Sequence, residues 1–188
     1  MIKSWSRQAS RVLQETRILD FCEASESSPY TDKEHNFVFI DSPDWVNLVP
    51  LTERDEIVMI RQYRHGSRGV TLEIPGGMVD VGESPATAAI RECEEETGYL
   101  ATEVHSLGVL NPNPALFNNA LHTYYADVQA SSAEAHCSET EVIEVELVAI
   151  DRLESLLLDG SIDHALVCAT LWRFLGMLRG ALQPDPVG

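Results

Sequence analysis

The stretch GGMVDVGESPATAAIRECEEETGY, residues 76–99, decides the fold of this chain. Ser84 can cap a helix, and Pro85 suits the first helical position, where an N–H is not needed. Gly98 can end the helix, because glycine readily adopts the left-handed conformation found at many helix C-termini. The spacing therefore predicts a helix from residue 85 to about residue 97, preceded by a glycine turn.

Three glutamates, Glu92, Glu95 and Glu96, share one face of this predicted helix, since residues three and four apart are neighbours. Crowded carboxylates repel one another, and hard divalent cations such as Mg²⁺ or Mn²⁺ would relieve that repulsion and also bind substrate phosphates. A solvated acidic helix face is the alternative interpretation. The preceding turn Gly76-Gly77 favours a metal site, because it lets the backbone approach an ion or phosphate closely.

The pattern is Gly77, five residues, Glu83, seven residues and then RECEEETGY from Arg91 to Tyr99. It resembles the signature box of the Nudix hydrolases, with every fixed position present at the right spacing. Cys93 and Tyr99 depart mildly from the aliphatic residues expected there. The resemblance implies an α/β (α+β) fold, the Nudix α/β/α sandwich, in which a mixed sheet carries the box as a loop–helix–loop motif.

The resemblance also implies a Mg²⁺-dependent (or Mn²⁺-dependent) attack of water on one phosphorus of a nucleoside diphosphate that carries a second group. The residues that it assigns to the metal are Glu92, Glu95, Glu96 and the backbone carbonyl of Gly76. Glu95 belongs to the catalytic set together with Arg91 and Glu83, two supporting residues that hold the loop and the carboxylates. Arg91 can do so through charge-assisted hydrogen bonds.

Sequences around the box resemble the Nudix branch that cleaves ADP-ribose and related nucleoside-diphosphate sugars. They are WVNLVPL followed by EIVMIRQYRHG, the lead-in LEIPGG, and NPNPALFNNALHTYYADV after the box. The resemblance suggests these substrate-binding residues: Arg61, Arg64, Glu73, Trp45, Pro114 and His122. Each has a plainer alternative, namely a surface charge, a structural polar group, a loop-shaping proline or a core aromatic. Dinucleoside polyphosphates, NADH and nucleoside triphosphates are the alternative substrates.

A second acidic segment, SETEVIEVE at residues 138–146, precedes a predicted strand. A similar segment in ADP-ribose pyrophosphatases brings one glutamate to the attacking water and one to a metal. By that resemblance Glu139 is the general base and Glu141 an added metal contact. An exposed acidic loop is the alternative interpretation.

The net charge of the chain limits the kinds of molecule that it is expected to bind. The 188 residues carry a net charge of -17, which disfavours binding to nucleic acid and to anionic membranes. The acidity is compatible with a site that uses divalent cations as counter-charge for an anionic substrate, although acidity alone favours the plainer interpretation that it keeps the protein soluble. The cysteines form no C-x-x-C pair, which fits free thiols in a reducing cytoplasm. A non-catalytic nucleotide-sugar sensor is a further alternative, disfavoured because all the box glutamates are present.

Two segments are expected along the chain. Residues 1–45 are interpreted as an N-terminal strand extension, which in the resembling branch typically embraces a second subunit to form a homodimer. Residues 46–188 are the Nudix domain. Helices are expected near residues 151–158 and 164–178. The apolar residues of the second helix, among them Leu171, Trp172 and Leu178, are predicted to pack in the core.

Overall fold

The computed structural model describes residues 1–131 and 142–183 of the chain. The predicted base Glu139 and metal contact Glu141 lie outside the described residues. Contacts divide the chain into two compact units. One consists of Met1–Pro43 and Asn111–Ala120, and the other of Asp44–Leu110 and Leu121–Gly188.

The first unit contains a three-stranded antiparallel sheet. Its strands, β1 (Ser6–Glu15), β2 (Asp20–Ser27) and β3 (Glu34–Asp41), pair in chain order. Ile40 of β3 also bridges to Phe117 in the returning segment. Strand β1 was not predicted, because every residue along it is exposed and its sequence shows no apolar alternation. The assignment of residues 1–45 to a dimer-forming extension stays a prediction.

The second unit contains a mixed sheet. The strands described here are β4 (Trp45–Leu51), β5 (Glu56–Arg64), β6 (Gly69–Glu73), β7 (Gly76–Met78), β8 (Tyr99–Ala101), β9 (His105–Leu110), β10 (Leu121–Ala130) and β11 (Ile143–Ala149). The main order is β11-β5-β4-β10-β8, with β6 beside β5, β7 beside β4 and β9 beside β10. Strands β10 and β4 run parallel, whereas the other pairs are antiparallel.

Helices cover both faces of this sheet. They are α1 (Pro85–Thr97), α2 (Ile150–Leu158) and α3 (Ala165–Leu178). Because side chains alternate along a strand, β5 feeds two cores. Val58 packs with Ala88, Ala89 and Cys93 of α1. Ile57 and Met59 point to the other face and pack with residues of α2 and α3. The expected α/β/α sandwich is confirmed.

One part of the core prediction is wrong. Leu171 of α3 is buried as expected, but Trp172 and Leu178 are 39% and 47% exposed, because the helix turns them away from the sheet. Among the helices in the described part of the chain, none is long and apolar enough to cross a membrane.

Candidate active site

Local chemistry sets both ends of α1 as predicted. The Ser84 hydroxyl accepts a hydrogen bond from the Thr87 N–H at 3.2 Å. Gly98 has φ 69°, in the left-handed region, and its N–H donates to the Glu94 carbonyl at 2.9 Å. The small buried residues Ala88 and Ala89 let the helix lie close to the sheet. The glutamate-bearing turn is thereby held against the glycine turn of β7.

Arg91 joins the box carboxylates. Its Nε and Nη2 donate to the two carboxylate oxygens of Glu83, each at 3.1 Å. Its Nη1 donates to Glu92 at 2.9 Å and to Glu95 at 3.1 Å, and Nη2 also reaches the Met78 carbonyl at 3.2 Å. The hydrogen bonds with Glu83 raise the pKa of Arg91 and lower the pKa of Glu83. The guanidinium therefore supplies the positive charge that holds this acidic cluster together.

The glycine turn fits closely around the remaining carboxylates. The Gly76 N–H donates to Glu96 at 2.9 Å, and Glu96 is only 7% exposed. A Cβ on Gly77 would clash with the carboxylate of Glu92. A Cβ on Gly76 would clash instead with the Val46 carbonyl and the Asn47 side-chain amide on the neighbouring strand. Close approach therefore requires glycine at both positions, for Gly77 because of a box carboxylate and for Gly76 because of β4.

The donor set suits a hard divalent cation, because it offers carboxylate oxygens from Glu92, Glu95 and Glu96 on one face of α1. The missing Cβ of Gly77 leaves the space in which the Glu92 carboxylate lies. Residues 1–131 and 142–183 contain no group of three or more His, Cys, Asp or Glu side chains already spaced around a common metal position. The physical reason is that Arg91 draws Glu92 and Glu95 to itself while Gly76 holds Glu96.

Arg64 and Glu73, both predicted substrate contacts, form a pair. Glu73 is 2% exposed and accepts from Arg64 Nε and Nη2 at 2.7 Å each, and from the Thr71 hydroxyl at 2.5 Å. Burial raises the pKa of the Glu73 carboxyl, but the bonds from Arg64 and Thr71 outweigh it, so the pKa lies below its ordinary value. Glu73 is thus a buried, ionised carboxylate that is paired with the half-exposed guanidinium of Arg64.

Arg61 lies apart from Arg64. Alternation along β5 places Arg61 with Ile57 on the α2–α3 face of the sheet and Arg64 on the α1 face. Arg61 donates to Glu146 of β11 at 2.6 Å, and the pair lines a cavity of about 490 Å³ beside Arg152 of α2. Its predicted substrate contact stays a prediction.

His122 and Trp45 lie at the beginning of β10 and β4. His122 Nε2 is 3.0 Å from the Asp44 carboxylate, and register aligns His122 with Val46 and Val46 with Gly77. These three residues therefore face the α1 side of the sheet, whereas Trp45 alternates to the other side. Pro114 is an exposed turn residue of the first unit. The roles predicted for these residues stay predictions.

Two polar groups of the second unit were not predicted from the sequence. Asp44 was not considered, although an acidic residue directly before a strand can partner a histidine on the neighbouring strand. Asn47 was read as part of an apolar strand, yet it is buried and donates to Thr170 of α3 at 3.2 Å. A polar residue inside WVNLVPL was the available signal, because a buried amide needs a hydrogen-bond partner.

Comparison with known proteins decides the family. The NUDIX domain profile matches residues 41–171, well over half of the chain. This chain belongs to the Nudix family. Nudix hydrolases act on small nucleotide substrates and generally use divalent metal ions. This Nudix hydrolase therefore carries its glutamates on the helix that the family signature describes.

Three proteins illustrate the similarity. A CMP-5'-(N-acetyl-N-hydroxy-3-aminopropyl)phosphonate hydrolase of Streptomyces rubellomurinus is 31% identical over 182 residues, which is 96% of this chain and 86% of that protein. An ADP-ribose pyrophosphatase of Bacillus subtilis is 28% identical over 113 residues, 60% of this chain and 61% of that protein. A crystal structure of an ADP compounds hydrolase has a TM-score of 0.82 at 21% identity, covering 96% and 97% of the two chains, and so shares the fold.

Proposed function

We propose that this Nudix hydrolase cleaves the pyrophosphate of ADP-ribose or a related nucleoside-diphosphate sugar, with Mg²⁺ as the cofactor and Mn²⁺ as a substitute. The observation that carries the proposal is a set of hydrogen bonds around the α1 glutamates: Arg91 donates to Glu92 and Glu95, and the Gly76 N–H donates to Glu96. The similarity to an ADP-ribose pyrophosphatase supports the choice of substrate. Products are a nucleoside monophosphate and a sugar phosphate.

The reaction joins the oxygen of water to one phosphorus and breaks the bond between that phosphorus and the bridging oxygen, which leaves on the other phosphate. A divalent cation supplies charge neutralisation for the phosphates and lowers the pKa of water. Glu92, Glu95 and Glu96 would hold it, assisted by the Gly76 carbonyl and Glu141. Arg91 and Glu83 keep the carboxylates in place, and Glu139 takes the proton of the attacking water.

Substrate contacts in the proposal come from Arg61, Arg64, Glu73, Trp45, Pro114 and His122. Arg64 is the best supported, because its guanidinium is anchored by Glu73 yet 40% of its side chain is exposed. A guanidinium held in this way can bind a phosphate or ribose hydroxyl without first being ordered.

We also propose that the chain forms a homodimer through residues 1–45 and that it acts in the cytoplasm. Sedimentation of the full chain tests the oligomeric state, and a single monomeric species would contradict it.

The testing experiment measures release of nucleoside monophosphate, by chromatography, from a substrate panel with Mg²⁺. The panel holds ADP-ribose, GDP-mannose, UDP-glucose, NADH, diadenosine polyphosphates and dGTP. Glu96→Gln should lower kcat for ADP-ribose by about a hundredfold or more, since it removes a proposed ligand of the cation that neutralises the phosphate charge. Glu94→Gln is the matched control. It makes the same change on the same helix, but Glu94 accepts from Ser131 instead of facing the glycine turn, and it should stay within about threefold.

The outcomes separate the parts of the proposal. If only dGTP or a dinucleotide is cleaved, the chain is still a Nudix hydrolase, but the proposed substrate class is wrong. Equal activity of Glu96→Gln and Glu94→Gln would overturn the metal site. Glu139→Gln should lower kcat by about a hundredfold if Glu139 is the base, and a change under about threefold would remove that role.

A second candidate substrate follows from the Streptomyces relative. Its similarity spans 96% of this chain, including the first unit, whereas the ADP-ribose pyrophosphatase matches 60%. Its name describes a CMP group joined to a phosphonate. Such a compound presents a nucleotide phosphorus and a second phosphorus group, which suit a divalent cation held by the same carboxylates. A CMP-linked phosphonate added to the panel decides between the two by kcat/KM.

A further inference from the structure

A buried polar contact connects α3 to the sheet behind the glutamate helix. Asn47 lies in the middle of the apolar strand β4 and is 9% exposed. Its Nδ2 donates to the Thr170 hydroxyl at 3.2 Å, and that hydroxyl donates to the Leu166 carbonyl at 2.9 Å. Thr170 is completely buried. Because an unpaired buried amide is costly, this contact constrains the orientation of the Asn47 side chain.

The other end of the same amide faces the glycine turn. Register pairs Asn47 with Gly76, and Asn47 Oδ1 lies 2.6 Å from the position that a Cβ of residue 76 would take. The Val46 carbonyl closes the same space. Gly76 therefore packs directly against the backbone and amide of β4, with no room to shift toward them.

Gly76 in turn holds a box carboxylate, since its N–H donates to Glu96 at 2.9 Å. Thr170, Asn47, Gly76 and Glu96 thus follow one another in contact from α3 through the sheet to α1. The buried fraction of Glu96 is 93%, so its carboxylate can adopt few orientations other than the one that Gly76 selects.

We propose that Asn47 and Thr170 are positioning residues of the metal site. They hold the Gly76 turn, and through it they set the orientation of the Glu96 carboxylate. The inference rests on the proposed function, in which Glu96 binds the cation. Residues that orient a metal ligand typically change metal affinity by roughly 10–100-fold when removed. Because Thr170 acts through two intermediates, an effect near the lower end, about tenfold, is expected.

The test measures Mn²⁺ binding to the full chain without nucleotide, by the electron paramagnetic resonance signal of free Mn²⁺. Thr170→Val keeps the side-chain volume but removes the hydroxyl, and should weaken binding about tenfold. Thr170→Ser keeps the hydroxyl and should stay within about twofold of wild type. Val167→Ala, a buried apolar change on the same helix, is the control for stability: it should lower the melting temperature without altering Mn²⁺ affinity.

Asn47→Ala provides an independent variant and a double-mutant cycle. If the two residues act as one unit, Asn47→Ala combined with Thr170→Val should bind Mn²⁺ no more than about twofold weaker than the worse single variant. Fully additive losses, or a Thr170→Val protein that keeps wild-type affinity, overturn the positioning role. If instead Glu96→Gln leaves Mn²⁺ binding unchanged, the metal site of the proposed function is itself wrong and the positioning role falls with it.

Discussion

Replacing Arg64 by methionine would remove the partner of a buried carboxylate while keeping much of the aliphatic stem. Glu73 is 2% exposed and receives two hydrogen bonds of 2.7 Å from Arg64. Leaving one member of a buried ion pair unpaired costs roughly 3–5 kcal/mol. Because the Arg64 side chain is 40% exposed, solvent screens part of the interaction, and we expect a loss of about 2–3 kcal/mol near neutral pH.

The loss should depend on pH with a definite sign. In the wild type the Glu73 pKa lies below its ordinary value, because hydrogen bonds from Arg64 and Thr71 outweigh the effect of burial. The pair therefore stabilises the protein above the unfolded pKa of about 4.3, and this stabilisation disappears as the pH falls through the folded pKa. In the variant, burial acts without Arg64 and raises the Glu73 pKa, so its folded state is penalised more as the pH rises.

Urea denaturation at about pH 8 and about pH 5 measures the two free energies of unfolding. The gap between wild type and Arg64→Met should be about 2–3 kcal/mol at the higher pH, or roughly 5–10 °C in melting temperature, and clearly smaller at the lower pH. Arg179→Met is the control, since it breaks the exposed pair with Glu154 and should cost less than about 1 kcal/mol. A gap for Arg64→Met that is the same at both pH values refutes the reasoning.

Three further predictions follow from close contacts and burial. Gly77→Ala should weaken Mn²⁺ binding by at least about tenfold, because the new Cβ meets the Glu92 carboxylate; unchanged affinity in the resonance assay would contradict this. Gly108→Ala should cost about 1–3 kcal/mol in urea denaturation, because φ is 103° and the Arg173 guanidinium occupies the space of the new Cβ. Movement of Arg173 would leave the backbone strain in place, so a change near zero would contradict this prediction. Burial raises the pKa of Cys93 to about 12, so iodoacetamide should modify it only after unfolding, as mass spectrometry of the native and denatured protein can check.

Helix α1 shows how much local chemistry determines. The cap at Ser84, the following proline and the stop at Gly98 predicted a helix from residue 85 to about 97, and the observed span is Pro85–Thr97. Such signals are reliable because each acts within one turn of the chain. The family signature and the α/β/α sandwich followed from the same stretch. Strand β1 escaped prediction, because a fully exposed strand carries no apolar alternation.

Tertiary structure alone decided which residues meet at the site. Asn47 and Thr170 are 123 residues apart and come together only because α3 packs on the sheet face behind β4. Arg61 and Arg64 are close in sequence, yet strand alternation sends them to opposite faces of β5. Helix α1 covers one of those faces, and α2 and α3 cover the other. No local signal in the sequence says which face is which, because this choice depends on long-range packing of the two apolar cores.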